Sequence, residues 1–219
     1  MIAWIKFAVF LLALIPLLNL GISAYLDQLG ANPIEKITRS TGYWTLTLLL
    51  ISLTISPLRK FSDWNWLMRL RRMLGLFVFF YASLHFLTYL VLDQFFDWTS
   101  IVNDIVKRPY ITVGFPAFIL LIPLAVTSNN RMIKIVGGKQ WLLLHRLVYI
   151  IAIGGVVHFW WLVKKDLTSP LAFAVLLSLL LGIRLIYWLR GLKKSGAGSW
   201  TNNPSATSEA CRFFQGESP

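Results

Sequence analysis

The sequence predicts an all-α fold, a polytopic membrane bundle of about six transmembrane helices, and three observations carry that reading. Hydrophobic residues make up 57% of the 219 and charged residues only 14%, with a mean hydropathy of +0.66. A soluble domain carries about a quarter charged residues, so lipid must stand in for the missing polar coat. Long apolar runs recur along the whole chain, most of them near the roughly 20 residues that a membrane crossing needs. The basic residues gather between these runs and not along amphipathic polar faces. The net charge of +12 is therefore a topology signal, and no nucleic-acid partner is expected. The lone cysteine, Cys211, excludes an intrachain disulfide, a Cys-rich zinc or iron–sulfur centre and a covalent CxxCH haem attachment.

The apolar runs place spans at approximately 4–26, 42–58, 73–92, 110–127, 141–163 and 170–189. The first reads as a retained span and not a signal peptide, because its only early positive charge is Lys6 and its apolar run is too long. The second and fourth are short, and Pro57, Pro116 and Pro123 shorten or kink them, which bundled neighbours tolerate by re-satisfying the freed backbone groups. Segment 94–108, with Phe95, Phe96, Trp98, Ile101 and Ile105 among polar residues, reads as a short interfacial helix. Residues 195–219 are Gly-, Ser-, Asn- and Pro-rich and read as a disordered tail, leaving 1–194 as the membrane domain.

Charge sets the direction. Connection 59–72 carries Arg59, Lys60, Arg69, Arg71 and Arg72 against Asp63; connection 128–140 carries Arg131, Lys134 and Lys139; and Arg190, Lys193 and Lys194 follow the last span. The alternate connections mix Lys36, Arg39, Lys107, Arg108, Lys164 and Lys165 with Asp27, Glu35, Asp93, Asp97, Asp104 and Asp166. Basic loops stay in the cytoplasm, so both termini are expected there. Trp98, Trp160 and Trp161 then mark the outer boundary, and Trp64, Trp66, Trp141 and Trp188 the inner one.

The chain has three histidines, His85, His145 and His158, and all fall inside expected spans. Ionisable groups at membrane depth are rare and usually functional; the competing view is that each is a hydrogen-bonding tie between helices. His85 lies ~10 Å and His158 ~8 Å from the outer ends of their spans, at 1.5 Å per residue. Two imidazoles at matching depth on two helices suit the opposite faces of one b-type haem. His145 sits near the inner boundary, where no fourth histidine exists to oppose it. At corresponding depth stands Arg71, which is a poor iron ligand but suits a haem propionate, a flavin phosphate or a quinone carbonyl. With Arg72 and Trp141 these residues outline an inner ligand site. On a straight helix His145 and His158 would lie ~140° apart, and Gly154-Gly155 is a candidate for a kink between them.

Several motifs together carry a family resemblance: GANPIEKITRSTGYW (30–44), ISPLR (55–59), RRMLGL (71–76), SLHFLTYL (83–90), KRPYITVG (107–114) and GKQWLLLHRLVYI (138–150), then His158. They resemble the MsrQ (YedZ) family of the ferric-reductase-like transmembrane group over approximately residues 5–190; the tail lies outside the likeness. The resemblance implies a haem b electron-transfer subunit, not itself catalytic towards methionine sulfoxide. It implies the quinone pool or a cytoplasmic flavin reductase as donor, FMN as a further cofactor, and a periplasmic molybdenum-containing MsrP-like subunit as acceptor, for repair of oxidised envelope proteins. By the same resemblance His85 and His158 match outer haem ligands, His145 matches an inner ligand, and Arg71 stands where related oxidases have a fourth histidine. Two rivals remain. A self-contained metal reductase would need a nucleotide-binding domain with Gly-rich phosphate loops, and no GxGxxG is present. A His/Arg proton relay or transporter would often show repeated halves, and no internal repeat is evident.

Overall fold

The computed structural model describes residues 2–163 and 166–196, with side chains as far as Arg190. All regular structure among the described residues is helical: α1 (Ile2–Tyr25), α2 (Pro33–Ser62), α3 (Met68–Leu87), α4 (Trp98–Lys107), α5 (Pro109–Val126), α6 (Asn130–Val136), α7 (Gly138–His145), α8 (Leu147–Leu162) and α9 (Thr168–Gly196). Six segments are long and apolar enough to cross a membrane: Ile2–Tyr25, Pro33–Ser62, Asn65–Asp93, Pro109–Val126, Gly138–Leu162 and Thr168–Arg190. The protein is an all-α, multi-pass membrane protein. The expected tail begins inside the end of α9; its remainder, 197–219, lies outside the described residues, as do Lys164 and Lys165.

The largest departure from the sequence reading is the start of α2, nine residues before the expected 42. Asn32 caps it, its side chain accepting from the Glu35 backbone N–H and donating to the Glu35 carboxylate, with Pro33 in the first turn. That arrangement satisfies orphan donors and pre-sets φ for helix entry. Roughly two and a half further turns result; they hold Thr38 and lead into Gly42. Pro57 stays inside α2. A proline deprives the carbonyl four residues earlier of its donor, here Leu53, and the Arg184 guanidinium of α9 donates to the Leu53 carbonyl at 2.6 Å. At its far end α2 stops at Asp63, in the left-handed region (φ 55°), whose N–H bonds the Arg59 carbonyl.

Neighbouring spans run antiparallel. Tyr110 at the start of α5 meets His158 near the end of α8, while the Trp141 indole at the start of the fifth span donates to the Thr127 carbonyl just beyond α5. One face of the bundle therefore gathers the Arg- and Lys-rich connections, and the other carries Asp27, Asp93, Asp97, Asp104 and Asp166; these are the basic and acidic faces below. α2 packs most closely on α3, and α5 on α8, around a core of Leu50, Leu53, Val78, Tyr81 and Ala152. The Tyr81 hydroxyl ties α3 to the Ala13 carbonyl of α1 at 2.7 Å. α1 and α9 keep wide apolar surfaces exposed, the condition for contact with lipid.

Two interruptions matter for the site. After Leu87 the third span continues as a π-helical turn, Thr88–Asp93, a wider coil that often accompanies function. The fifth span breaks at Arg146, between α7 and α8, not at Gly154-Gly155. Those glycines lie in regular helix: a Cβ on Gly154 would make ordinary contact at 3.6 Å with Ala117 and Val113, whereas one on Gly155 would stand a tight 3.3 Å from Leu46. The interfacial helix forms as α4, starting at Trp98 because Asp97 caps the Thr99 and Ser100 N–H groups.

Candidate functional site

His85 projects from the last turns of α3 and His158 from the last turns of α8, both half-buried. The structure brings them together, with ring centroids 6.0 Å apart and planes at 84°. Each ring is seated the same way on a neighbouring helix. His85 Nδ1 donates to the Thr38 carbonyl of α2 at 2.9 Å, and His158 Nδ1 donates to the Tyr110 carbonyl of α5 at 2.6 Å. Four residues on from each carbonyl, one helical turn, stands a glycine that the ring covers. A Cβ on Gly42 would lie 2.9 Å from His85 Cε1, and one on Gly114 2.5 Å from His158 Nδ1. Thr38/Gly42 and Tyr110/Gly114 are thus matching cradles, each holding the edge of one imidazole against backbone.

The carbonyls decide the tautomer. A carbonyl only accepts, so Nδ1 must carry the proton in both rings, which leaves the lone pair on Nε2. Fixing Nδ1–H on a carbonyl is the usual outer support of a metal-bound histidine. Two Nε2 atoms bonding one ion at about 2 Å would hold the ring centroids roughly 6 Å apart, which is the spacing of this pair. Thr88 closes the cradle, its hydroxyl donating to the His85 carbonyl and accepting from Thr38.

Towards the basic face lies a second cluster. His145, the last residue of α7, bonds through Nδ1 to the Trp141 carbonyl (3.1 Å) and stacks on the Trp141 ring, centroids 3.9 Å apart. Its Nε2 is buried and makes no well-formed hydrogen bond, although the Leu124 backbone stands close to the ring. Arg71 and Arg72 both act on it electrostatically, but Arg71 is half-buried and Arg72 exposed. The Arg71 guanidinium stands near the Tyr149 hydroxyl of α8 and interacts with it electrostatically. Arg184 of α9 stands over the Tyr149 ring, 4.7 Å from its centroid. Among the described residues no group of three or more His, Cys, Asp and Glu side chains is arranged to hold a metal ion, so any iron here depends on the imidazoles alone.

Sequence reasoning did not reach Thr38, Gly42, Tyr110, Gly114, Tyr149 or Arg184. For Arg184 a signal existed: it is the one charged residue in the run 170–189. For the glycines there was none, because nothing local distinguishes a glycine under an imidazole from one facing lipid.

Residues 41–156 match a family model described as "Ferric reductase like transmembrane component"; it takes in Arg71, His85 and His145 and stops two residues before His158. Curated proteins named "Protein-methionine-sulfoxide reductase heme-binding subunit MsrQ" are similar over nearly the whole chain. The one from Herminiimonas arsenicoxydans is 53% identical, covering 91% of this chain and 92% of its own. That of Rhodospirillum rubrum is 51% identical, covering 89% and 93%, and that of Xanthomonas campestris pv. campestris 48%, covering 83% and 82%. No solved structure matches the chain. With six apolar spans, an internal histidine pair and such identity over most of its length, the chain belongs to the MsrQ family of the ferric-reductase-like transmembrane group.

Proposed function

We propose that the chain is the haem b-binding, electron-carrying membrane subunit of a methionine sulfoxide reductase system. The carrying observation is the His85–His158 pair, with both Nδ1 atoms engaged on carbonyls and both Nε2 lone pairs free for one iron. Haem, when bound, supplies a one-electron couple that amino-acid side chains lack. The protein's part is to fix the two imidazoles in the ligating tautomer, raise their basicity through Thr38 and Tyr110, and surround them with apolar helices.

His145, with its buried Nε2, and Arg71 are assigned to a second cofactor site towards the basic face, for an inner haem or a flavin or quinone. Arg72, being exposed, is assigned to topology and to the edge of that site. The basic face is assigned to the cytoplasm, with both termini there, in a bacterial inner membrane. Electrons then enter from the quinone pool or a cytoplasmic flavin reductase, with FMN as a candidate carrier. They leave at the acidic face to a periplasmic, molybdenum-containing MsrP-like subunit, where methionine sulfoxide is reduced; this chain is assigned the carrying of electrons and not that reaction. The membrane domain 1–194 is assigned the whole activity, and the tail none.

A reduced-minus-oxidised spectrum of the purified protein, with pyridine haemochrome quantification, tests the reading. Wild type should give a low-spin b-type spectrum, and His85→Ala or His158→Ala should each abolish most of it while the protein still inserts. Full haem and an unchanged spectrum in both variants would break the pairing. A wild-type protein without a Soret band would favour the proton-relay alternative.

A further inference from the structure

Arg184 enters the bundle from the last span, and its two terminal nitrogens meet different fates. Nη2 donates to the Leu53 carbonyl that Pro57 leaves without a helical donor. Nη1 is buried and bonds nothing. Its guanidinium lies over the Tyr149 ring, and Arg71, which stands near the hydroxyl of the same tyrosine, repels it. Arg71 also repels a protonated His145, whose Nε2 is the other buried atom without a well-formed hydrogen bond. The unsatisfied atoms thus belong to one electrostatically linked group drawn from α3, α7, α8 and α9.

The charges in this group do not cancel. Guanidinium does not deprotonate in proteins, and a buried ion without a counter-ion costs several kcal/mol. The ion pairs formed among the described residues are Glu35–Arg39 and Asp104–Arg108, both towards the acidic face. Asp63, the one carboxylate among the described residues at the basic face, acts on Arg59. A neutral ligand would leave both guanidiniums uncompensated. An anionic group would compensate both and fill the vacant donor on Arg184.

We propose that Arg71 and Arg184 form a two-guanidinium clamp for a carboxylate or phosphate group, carried by an otherwise apolar ligand in the basic half of the bundle. This rests on the second-site reading above and sharpens it: the occupant is an anion, which a quinone is not. Tyr149 stands between the two, with its ring face under Arg184 and its hydroxyl towards Arg71.

The test is equilibrium binding to the full chain, expressed without haem and placed in nanodiscs of neutral lipid. One arm compares haemin with its dimethyl ester, which lacks carboxylates, at the signal that survives in His85→Ala. A second compares FMN with riboflavin, and a third counts phosphatidylglycerol retained through purification. In one arm at least, wild type should favour the anionic ligand by about ten- to a hundredfold, the worth of a charged hydrogen bond. Arg184→Gln and Arg71→Gln should each erase that preference, and Arg184→Lys should keep part of it. The arm that responds identifies the ligand's source. The low-spin signal of the His85–His158 pair and the melting temperature report folding, and loss of that signal in wild type would count against the functional reading and not against the clamp. If no arm shows a preference, or both Gln variants keep it, Arg184 serves only to tie α9 to α2 and the clamp is refuted.

Discussion

Gly114→Ala places one methyl group where the structure has the edge of an imidazole. The added Cβ would lie 2.5 Å from His158 Nδ1, 2.9 Å from Cε1 and 3.2 Å from Cγ, against an ordinary contact of 3.4–4 Å. The ring must therefore withdraw by about 1 Å, since the atom it meets belongs to a helix backbone, and overpacking of this kind costs about 1–3 kcal/mol. Withdrawal also stretches the bond from Nδ1 to the Tyr110 carbonyl, now 2.6 Å, on the same turn of α5. Ligating groups tolerate roughly 0.5 Å of displacement, and loss of an outer hydrogen bond typically lowers metal affinity about 10–100-fold. Haem affinity should fall by at least that range, read by pyridine haemochrome per mole of purified protein. Gly42→Ala should act in the same direction but less, because its Cβ would come only to 2.9 Å from His85. Gly75→Ala and Gly182→Ala are controls, since nothing lies within 4 Å of either added methyl. A Gly114→Ala protein with wild-type haem content and an unchanged low-spin spectrum would refute the cradle.

Further outcomes follow from other elements. Asn32→Ala removes the cap of α2 and should cost about 1 kcal/mol, read as a lower melting temperature with haem content retained, since Thr38 lies beyond the first turn. Reporter fusions at Lys60 and Lys139 should report cytoplasm, and fusions at Asp97 and Asp166 the other side; an external signal at Lys139 would overturn the proposed orientation. His145→Ala should slow haem reduction by the physiological donor while dithionite still reduces the His85–His158 site, and unchanged donor kinetics would make His145 structural. Trp141→Phe keeps the stacking surface under His145 but loses the bond to the Thr127 carbonyl, so a loss of about 0.5–1.5 kcal/mol in stability is expected.

How much of this was legible depends on where each signal sits. Span number and approximate position were readable because they follow from composition over some twenty residues, and local detail averages out. The meeting of His85 and His158 was anticipated from depth along two helices, which needs only the rise per residue. Boundaries were harder. Glu35, Lys36 and Arg39 look like a loop by charge, yet Asn32, Pro33 and Glu35 form a helix start, and the capping chemistry outweighs the polarity. Gly154-Gly155 is a candidate for a kink because glycine permits one. In the structure both lie in regular helix, Gly155 tight against Leu46, and the helix changes at Arg146.

Arg184 is the instructive omission. The rule that drew attention to three histidines, that an ionisable group in an apolar run has a reason to be there, applies with more force to an arginine that cannot become neutral. Pro57 supplies one reason, but a freed carbonyl needs one donor, and a threonine or serine hydroxyl from a neighbouring helix supplies that without importing a charge. A guanidinium brings five donors and a full positive charge to a place where Arg71 already contributes another, and the carbonyl accounts for one nitrogen alone. The excess is what needs an occupant. Its signature in sequence is a pair of charges far apart in the chain, at positions 71 and 184, that only the packing of α3 and α9 around Tyr149 joins into one site.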